Sequence, residues 1–333
     1  MQMKIRLIIF AAAAMLLAGC TQKEKAGVSP LHVEGTQLVN EAGEPVVLRG
    51  VSFGWHNLWP RFYNAGAVKT FHKKWGVNIF RASIGVDDLH ETGDNLGYVS
   101  DPETAMDCLY SVIDAAIEND SYVIVDWHSH RMHPDEETGA DKAAEFFSEV
   151  VTRYRNVPNV IYELYNEPIM DSIPQIFNYC ESLCNLIGTM SDVKPVILMG
   201  SPHWDQDIHL IADAVEAGFE PTYPNLMWTM HFYAATHKEY LRECCQHALD
   251  KGLPLFFSEC GGCEASGNGN LDEESWNEWS EWAEQRGITM LTWNVGDKNE
   301  TSAMFTPEAK SEGPWPDKVI TPWGKFVKEW ITK

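Results

Sequence analysis

Residues 159–168 read Asn-Val-Ile-Tyr-Glu-Leu-Tyr-Asn-Glu-Pro, a β-branched and aromatic run with a carboxylate, Glu167, near its end. A second run of this kind, Phe256-Phe257-Ser258-Glu259, also ends in a carboxylate, far along the chain. Two such groups meet only in a fold that gathers strand ends. A parallel barrel does so because the carboxyl ends of all its strands open onto one face.

Eight short apolar, β-rich runs recur along the chain, and most are followed by a segment with a helical hydrophobic period. They span residues 46–51, 77–83, 122–128, 159–167, 195–200, 226–233, 253–259 and 288–295. Strands that alternate with helices predict a parallel sheet, and eight of them predict a closed barrel. We therefore expect an α/β fold, a single (β/α)8 TIM barrel over residues 31–333.

A hairpin is predicted before the first barrel strand. Leu31-His32-Val33 and Gln37-Leu38-Val39 flank Gly35, a residue suited to a tight turn. We expect this hairpin to plug the N-terminal end of the barrel.

The charge of the chain excludes some partners. Its 48 acidic and 25 basic side chains give a net charge of -23, which repels phosphate backbones and anionic membrane surfaces. Nucleic acid is therefore an unsuitable partner, and a neutral polymer fits better. The 13 tryptophans are numerous, and both sugar stacking and core packing would account for them.

The N-terminus has the features of an export signal. Lys4 and Arg6 precede the apolar run 7–17, which is too short to span a bilayer as a mature helix. Leu17-Ala18-Gly19-Cys20 resembles the lipobox of bacterial lipoproteins, in which the cysteine becomes the lipidated first residue; simple secretion is the alternative. We expect a signal peptide over 1–19 and a lipidated polar tether over 20–30. The protein would then be exported and anchored to a bacterial membrane, at the outer membrane or cell surface or on a periplasmic face.

Without Cys20, seven of the eight cysteines remain, an odd number that leaves at least one thiol free. Cys260-Gly261-Gly262-Cys263 is a C-x-x-C motif that could form a disulfide or half of a zinc site. No second C-x-x-C or matched histidine pair accompanies it, so unpaired thiols are favoured over both.

The paired carboxylates suit the hydrolysis of a glycosidic bond. One carboxylic acid must protonate the leaving oxygen while a second carboxylate attacks the anomeric carbon, and the retaining geometry holds the two roughly 5 Å apart. Glu167 is expected to need a raised pKa, from apolar walls and from repulsion by Glu259, so that it keeps its proton near neutral pH. The alternative, two carboxylates that merely cap loops or helices, explains less.

Several motifs together identify a family resemblance. The chain resembles the family 5 glycoside hydrolases, the cellulase family, from about Leu31 onward, through Asn166-Glu167-Pro168, Glu259, Asp126-Trp127-His128, His231-Phe232-Tyr233 and Trp293. Residues 265–269 (ASGNG) and 297–303 (DKNETSA) are similar to a bacterial endoglucanase branch of that family. Gly296 stands where this branch has serine, a change that we do not expect to matter.

The resemblance implies a role for each matching residue. Glu167 would be the general acid/base and Glu259 the nucleophile. The substrate-binding or supporting residues would be Arg81, His128, Asn166, His231, Tyr233, Trp293, Trp59, Lys298 and Glu300, and His130 would lie in a loop that lines the substrate. Among them, Arg81 would fix the nucleophile and keep it ionised, Tyr233 would donate to it, and Trp293 and Trp59 would stack on sugars. A satisfied core histidine is the alternative for His231.

Other residues have structural interpretations. Asp126, His128, His130 and His133 have a spacing that permits a metal site, but the resemblance places His128 in an active-site floor without a metal, so no metal and no cofactor are expected. Glu163 lies deeper on the strand of Glu167, where a carboxylate must be paired, with Arg49 or Arg81. Trp276 and Trp279 have helical spacing, which favours core packing.

Taken together, the sequence predicts a retaining endo-β-1,4-glucanase that acts on internal bonds of cellulose-like or mixed-linkage β-glucans and functions as a monomer. A barrel endo-glycanase for mannan or xyloglucan is the nearest alternative. A non-catalytic surface glycan-binding lipoprotein is the alternative from another class, although it would not need the paired carboxylates.

Overall fold

The structure is a computed structural model that describes residues 27–89, 94–132, 141–219 and 221–333. The predicted signal peptide, Cys20, most of the tether and His133 lie outside these residues. None of the described helices is long and apolar enough to cross a membrane.

The chain alternates strands and helices in the order that the sequence predicts. The strands are β1 (Leu31–Glu34), β2 (Gln37–Asn40), β3 (Arg49–Phe53), β4 (Ile79–Gly85), β5 (Tyr122–His128), β6 (Val160–Glu163), β7 (Ile197–Met199), β8 (Leu226–Tyr233), β9 (Leu255–Gly261) and β10 (Met290–Val295). The helices are α1 (Ala65–Thr70), α2 (Pro102–Glu118), α3 (Lys142–Tyr154), α4 (Ile173–Met190), the single turn α5 (Pro202–Asp205), α6 (Ile208–Glu216), α7 (Glu239–Asp250), α8 (Glu273–Glu284) and α9 (Pro322–Thr332).

Strands β3 to β10 form a closed, all-parallel barrel in which β10 pairs with β3, so the predicted (β/α)8 barrel is confirmed. The predicted limits of β5 and β8 coincide with the observed ones. The predicted strand 159–167 is too long, because the ladder of β6 ends at Glu163. Beyond that point the backbone N–H of Asn166 bonds to Trp127 and that of Glu167 bonds to Ser129, which turns the chain across the top of β5.

Aspartate side chains cap the N-terminal ends of two helices. Asp101 accepts from the backbone N–H of Thr104 at the start of α2, and Asp272 accepts from Ser275 at the start of α8. Each carboxylate satisfies a donor that has no partner inside the helix and carries a charge that the helix dipole favours.

The predicted hairpin is present, with β1 antiparallel to β2 and Gly35 at a φ of 59° in the turn. Leu31 and Leu38 of the hairpin belong to one buried apolar cluster with Leu48 and inward residues of the barrel strands, which we call the base cluster. Its other members are Ile79, Tyr122, Ile124, Ile161, Leu198, Met227, Phe256 and Leu291 from the barrel strands and Val196, which directly precedes β7. The hairpin therefore closes the N-terminal end of the barrel.

A larger apolar core fills the space between the strands and the helices. Trp276 and Trp279 are fully buried there, so their predicted role in packing is confirmed. All seven described cysteines are free thiols, and Cys260 and Cys263 are buried without a disulfide.

Candidate active site

Arg81 organises the carboxyl end of the barrel. From the middle of β4, its fully buried guanidinium reaches Glu163 at 2.6 Å, Glu259 at 2.9 Å and Asp126 at 3.0 Å. It also donates to the side-chain oxygen of Asn166 at 2.6 Å. Glu163 is thus paired with Arg81, not with Arg49. One permanent cation offsets three buried carboxylates, which fixes their positions.

The two candidate catalytic carboxylates face each other above this cluster. Glu259 lies within β9, and Glu167 lies four positions beyond the end of β6. One oxygen of each carboxylate and one ring nitrogen of His231 lie within 4.8 Å of one another. This approach fits the roughly 5 Å of retaining glycosidases better than the roughly 6.5–9.5 Å of inverting ones.

Glu167 is held by two histidines. His130 Nε2 lies 3.0 Å from one carboxylate oxygen, and His231 Nδ1 lies 2.9 Å from the other. Burial alone would raise the pKa of Glu167, but these hydrogen bonds outweigh it and lower the pKa. The expectation of a raised pKa is therefore wrong for this structure. The sequence did not reveal that both oxygens would face imidazoles able to carry the proton instead.

The hydrogen-bond network behind His231 determines which of its nitrogens exchanges the proton. The Ser258 hydroxyl donates to Glu163 at 2.6 Å, so its oxygen accepts from His231 Nε2 at 2.9 Å. With a proton fixed on Nε2, Nδ1 either accepts from a protonated Glu167 or donates to its carboxylate. Glu167 and His231 therefore share one proton and titrate as a pair, to which His130 is coupled through the other Glu167 oxygen.

Glu259 is held from two sides. The hydroxyl of Tyr233 donates to one oxygen at 2.7 Å, and Arg81 donates to the other. Burial raises the pKa of Glu259, and the nearby Glu167 charge adds to the rise, although His231 and Arg81 oppose it. Together, Tyr233 and Arg81 fix the orientation of the Glu259 carboxylate toward a bound sugar.

His128 forms the floor of the site with Trp293. Its Nδ1 lies 2.6 Å from Asp126, and its ring stacks on Trp293 with centroids 5.4 Å apart and planes within 3°. Burial lowers the pKa of His128 well below its ordinary value, which favours the neutral ring. His130 turns away from Asp126 toward Glu167. In the described part of the chain, Asp126, His128 and His130 therefore do not converge as metal ligands.

These residues line an open cleft of about 640 Å³. The predicted aromatic residues Trp59 and Trp293 are in its wall, together with Lys298, whose ammonium lies 2.6 Å from Glu300. A Cβ at Gly296 would lie 3.2 Å from the Trp59 ring and 2.4 Å from the Asn294 side-chain oxygen. The absence of a side chain at 296 thus lets Trp59 pack closely, a consequence that the sequence comparison did not anticipate.

Some lining residues escaped the sequence prediction. Trp55 packs edge-on against His128 with ring centroids 4.5 Å apart, and none of the motifs in the sequence indicated it. His203 and Trp204 reach the cleft from α5, where residues 203, 204 and 205 have φ values of 58°, 55° and 60°. Three consecutive non-glycine residues in the left-handed region leave no pattern in a sequence.

Comparison with known proteins agrees with this geometry. A family model described as Cellulase (glycosyl hydrolase family 5) matches residues 39–299. Endoglucanase Z of Dickeya dadantii is 35% identical over 321 residues, which cover 95% of this chain and 69% of that protein. Endoglucanase A of Butyrivibrio fibrisolvens is 35% identical over 283 residues, which cover 84% of this chain and only 63% of that protein.

A solved structure of the catalytic domain of Thermobifida fusca endoglucanase Cel5A in complex with cellotetraose superposes with a TM-score of 0.80 at 28% identity. The match covers 91% of this chain and 97% of that one. The chain therefore belongs to glycoside hydrolase family 5, the cellulase family.

Proposed function

We propose that the protein is a retaining endo-β-1,4-glucanase that cleaves internal bonds of cellulose-like or mixed-linkage β-glucans. The observation that carries this proposal is the approach of Glu167 and Glu259 within 4.8 Å at the floor of an open cleft. Membership in the cellulase family supports it, as do relatives named endoglucanases and a similar structure that holds cellotetraose.

In the first step, Glu259 attacks the anomeric carbon while Glu167 protonates the departing glycosidic oxygen. Arg81 donates a hydrogen bond to one oxygen of Glu259 and Tyr233 donates to the other. The nucleophile is therefore already oriented, and little reorganisation of the site is needed when it attacks. Because Arg81 donates to the Asn166 oxygen, the amide nitrogen of Asn166 is left as a donor for the sugar 2-hydroxyl, a contact that strengthens in the transition state.

In the second step, Glu167 takes a proton from water, which attacks the same carbon and releases Glu259. Formation of the ester removes the negative charge of Glu259, which lowers the proton affinity of Glu167 and favours its action as a base. The proton taken from water replaces the one given to the leaving oxygen, so His231 Nδ1 and Glu167 again share a proton once the step is complete. No cofactor enters these steps.

Glu259→Ala tests the assignment. Turnover of a soluble β-glucan should be abolished, and added azide should partly restore it by attack from the vacated side, giving an α-configured glycosyl azide. Glu274→Ala, at an exposed position of α8, is the matched control and should retain parental activity. A β-configured product would assign the nucleophile role to Glu167, and full activity of Glu259→Ala would refute the mechanism.

A panel of soluble polysaccharides separates the candidate substrates. Release of reducing ends from carboxymethylcellulose supports the glucanase assignment, whereas activity confined to mannan or xyloglucan would replace it with another endo-glycanase. Binding without any release of reducing ends would favour the non-catalytic glycan-binding alternative, for which the paired carboxylates provide no reason.

We further propose that the protein is exported as a monomer and lipid-anchored at Cys20. The lipobox-like residues 17–20 support the anchor, and a cleft built within one closed barrel supports the monomer. In a bacterial host, full-length protein should partition with membranes, whereas Cys20→Ser should be released or left unprocessed. Equal membrane association of both would discard the anchor, and a dimer mass in solution would discard the monomer.

A further inference from the structure

Asp205 lies behind His231, and the reaction steps above do not use it. Its side chain is fully buried, with one carboxylate oxygen 3.4 Å from His231 Nε2. The other oxygen accepts from the backbone N–H of Ser201 at 2.7 Å, and the Thr229 hydroxyl contacts the carboxylate at 2.5 Å. Asp205 therefore faces the imidazole on the side opposite Glu167.

The charge of Asp205 depends on His231. Burial raises the pKa of Asp205 well above its ordinary value, and His231 is the first of the groups that lower it, followed by the Thr229 hydroxyl. A buried carboxylate needs a cation, and the other contacts of Asp205, Ser201 and Thr229, are neutral donors. In the part of the chain that the structure describes, the cationic partner within ion-pair distance of Asp205 is His231. Glu163, the other carboxylate near Nε2, already has Arg81 at 2.6 Å. Ionisation of Asp205 thus favours an imidazolium at His231.

The backbone holds Asp205 in this direction. His203, Trp204 and Asp205 occupy left-handed conformations that a Cβ disfavours, so contacts must maintain the turn. The N–H of Trp204 bonds to the carbonyl of Pro168, which directly follows Glu167, and the N–H of Asp205 bonds to the carbonyl of Ser201. The same turn therefore exposes Trp204 to the cleft and buries Asp205 against His231.

Other charged and polar groups also surround His231. They are Glu163 and Glu167 from β6 and its extension, Ser258 and Glu259 from β9, and Asp126 and His128 from β5. Arg81 pairs with Glu163 and Glu259, and His130 contacts the other oxygen of Glu167. Burial alone lowers the pKa of His231, and Asp205 is the largest of the charges that raise it well above its ordinary value. Asp205 is thus a carboxylate close to His231 whose negative charge is not neutralised by Arg81.

We propose that Asp205 is a positioning residue of the acid/base step, which stabilises protonated His231 and so raises the proton affinity of the Glu167–His231 pair. This inference rests on the proposed hydrolysis. The pair gives one proton to the departing glycosidic oxygen as the bond to the anomeric carbon breaks, and it regains one from the attacking water. Asp205 sets the pH up to which the pair holds that proton.

Asp205→Asn tests the role because it removes the charge and keeps the shape. The basic limb of the pH profile of kcat/KM on a chromogenic cello-oligosaccharide should move to lower pH by about one unit, since loss of a nearby negative charge makes the proton easier to remove. Asp207→Asn is the matched control on the adjoining turn. Its carboxylate is partly exposed and lies 3.7 Å from His203, so its limb should not move.

Thr229→Val is a second variant that leaves the carboxylate in place and removes the hydroxyl that contacts it. The basic limb of its pH profile should move to lower pH, but by less than in Asp205→Asn, because Asp205 ionises less readily without the hydroxyl. If Asp205→Asn does not fold, Thr229→Val decides the outcome. The proposal is overturned if the basic limb does not move in folded Asp205→Asn. If that variant does not fold, an unmoved limb in Thr229→Val overturns it.

The proposed function can fail separately. If the parent protein releases no sugar, the proposed hydrolytic function is wrong and no pH profile of kcat/KM can be measured. The His231 ring can then be titrated by NMR with labelled histidine, its resonance assigned by its loss in His231→Gln. A lower ring pKa in Asp205→Asn than in the parent supports the role of Asp205, and an equal pKa refutes it without reference to activity.

Discussion

The two ends of the barrel are built from the same strands but have opposite chemistry. On five strands, an inward residue of the base cluster is followed two positions later by a polar or charged residue at the active-site end. The pairs are Ile79 and Arg81, Ile124 and Asp126, Ile161 and Glu163, Met227 and Thr229, and Phe256 and Ser258. Residues two apart on a strand point to the same side, about 6.6 Å apart along it.

The two ends therefore have different roles: the base cluster stabilises the fold, and the active-site end orients the catalytic groups. The base cluster stabilises through burial of apolar area, which is insensitive to direction and to pH. The active-site end depends on directed hydrogen bonds and on Arg81, because each buried carboxylate there would otherwise lack a partner. Substitutions at the two ends should therefore differ in kind as well as in size.

Arg81→Met should have the largest effect. It leaves Asp126, Glu163 and Glu259 without their permanent cation, which should cost about 3–5 kcal/mol of unfolding free energy and abolish turnover. The unpaired carboxylates would bind protons more tightly in the folded variant than in the unfolded chain, so the deficit should be smaller at pH 5 than at pH 7. Urea unfolding at both pH values measures this.

Arg49→Met is the control for that substitution. Arg49 pairs with the exposed Glu284 at 3.2 Å and donates to the carbonyl of Trp330 at 3.2 Å. A surface pair contributes about 0–1 kcal/mol and one such hydrogen bond about 1 kcal/mol, so the loss should remain below that of Arg81→Met. Equal losses for Arg49→Met and Arg81→Met would contradict the distinction between the two ends.

Leu198→Ala in the base cluster should reduce stability by about 2–5 kcal/mol, because it removes buried methyl groups and leaves a cavity. Its kcat should match the parent at temperatures where the variant is folded, and the stability loss should be the same at pH 5 and pH 7. Thermal melts and initial rates measure both quantities. A fall in kcat in fully folded protein would show that the base also orients the catalytic groups.

The tryptophans of the cleft should separate binding from turnover. Trp293→Ala, beneath the proposed cleavage point, should lower kcat more than it raises KM, since a distorted sugar is bound there mainly in the transition state. Trp59→Ala should raise KM by a factor equivalent to about 1 to 2 kcal/mol and change kcat little. Cooperative melts must first show that each variant folds. Unchanged binding of long oligomers by Trp59→Ala would remove that ring from the substrate path.

Tyr122→Phe should have the smallest effect. The Tyr122 hydroxyl donates to the carbonyl of Ser29 at 2.7 Å, which ties the segment before the hairpin to the barrel. Its loss should reduce stability by about 1 kcal/mol, with kcat and KM unchanged. Any change in the pH profile of activity would indicate coupling between the two ends.

The sequence predicted the order and number of strands because each buried parallel strand is a short apolar run, as at 122–128 and 226–233. It placed Glu167, Glu259 and Trp293 together because their residue types stand at or near strand ends, but it missed Trp55, His203 and Trp204 in the cleft wall. It did not predict that Glu167 would be held by His130 and His231, since that depends on how side chains from different strands meet. The left-handed turn at Asp205 was equally out of reach, because long-range contacts, not local preference, maintain it.

The base cluster also determines where products leave the barrel and where water enters it. In the part of the chain that the structure describes, the hairpin and a layer of apolar side chains close the N-terminal end of the barrel, so the departing glucan fragment and the incoming water would both pass through the cleft. After the first step, whichever hydroxyl first reaches the anomeric carbon through that opening decides the product. High concentrations of short cello-oligosaccharides should therefore divert the covalent intermediate from hydrolysis to sugar transfer and lengthen chains.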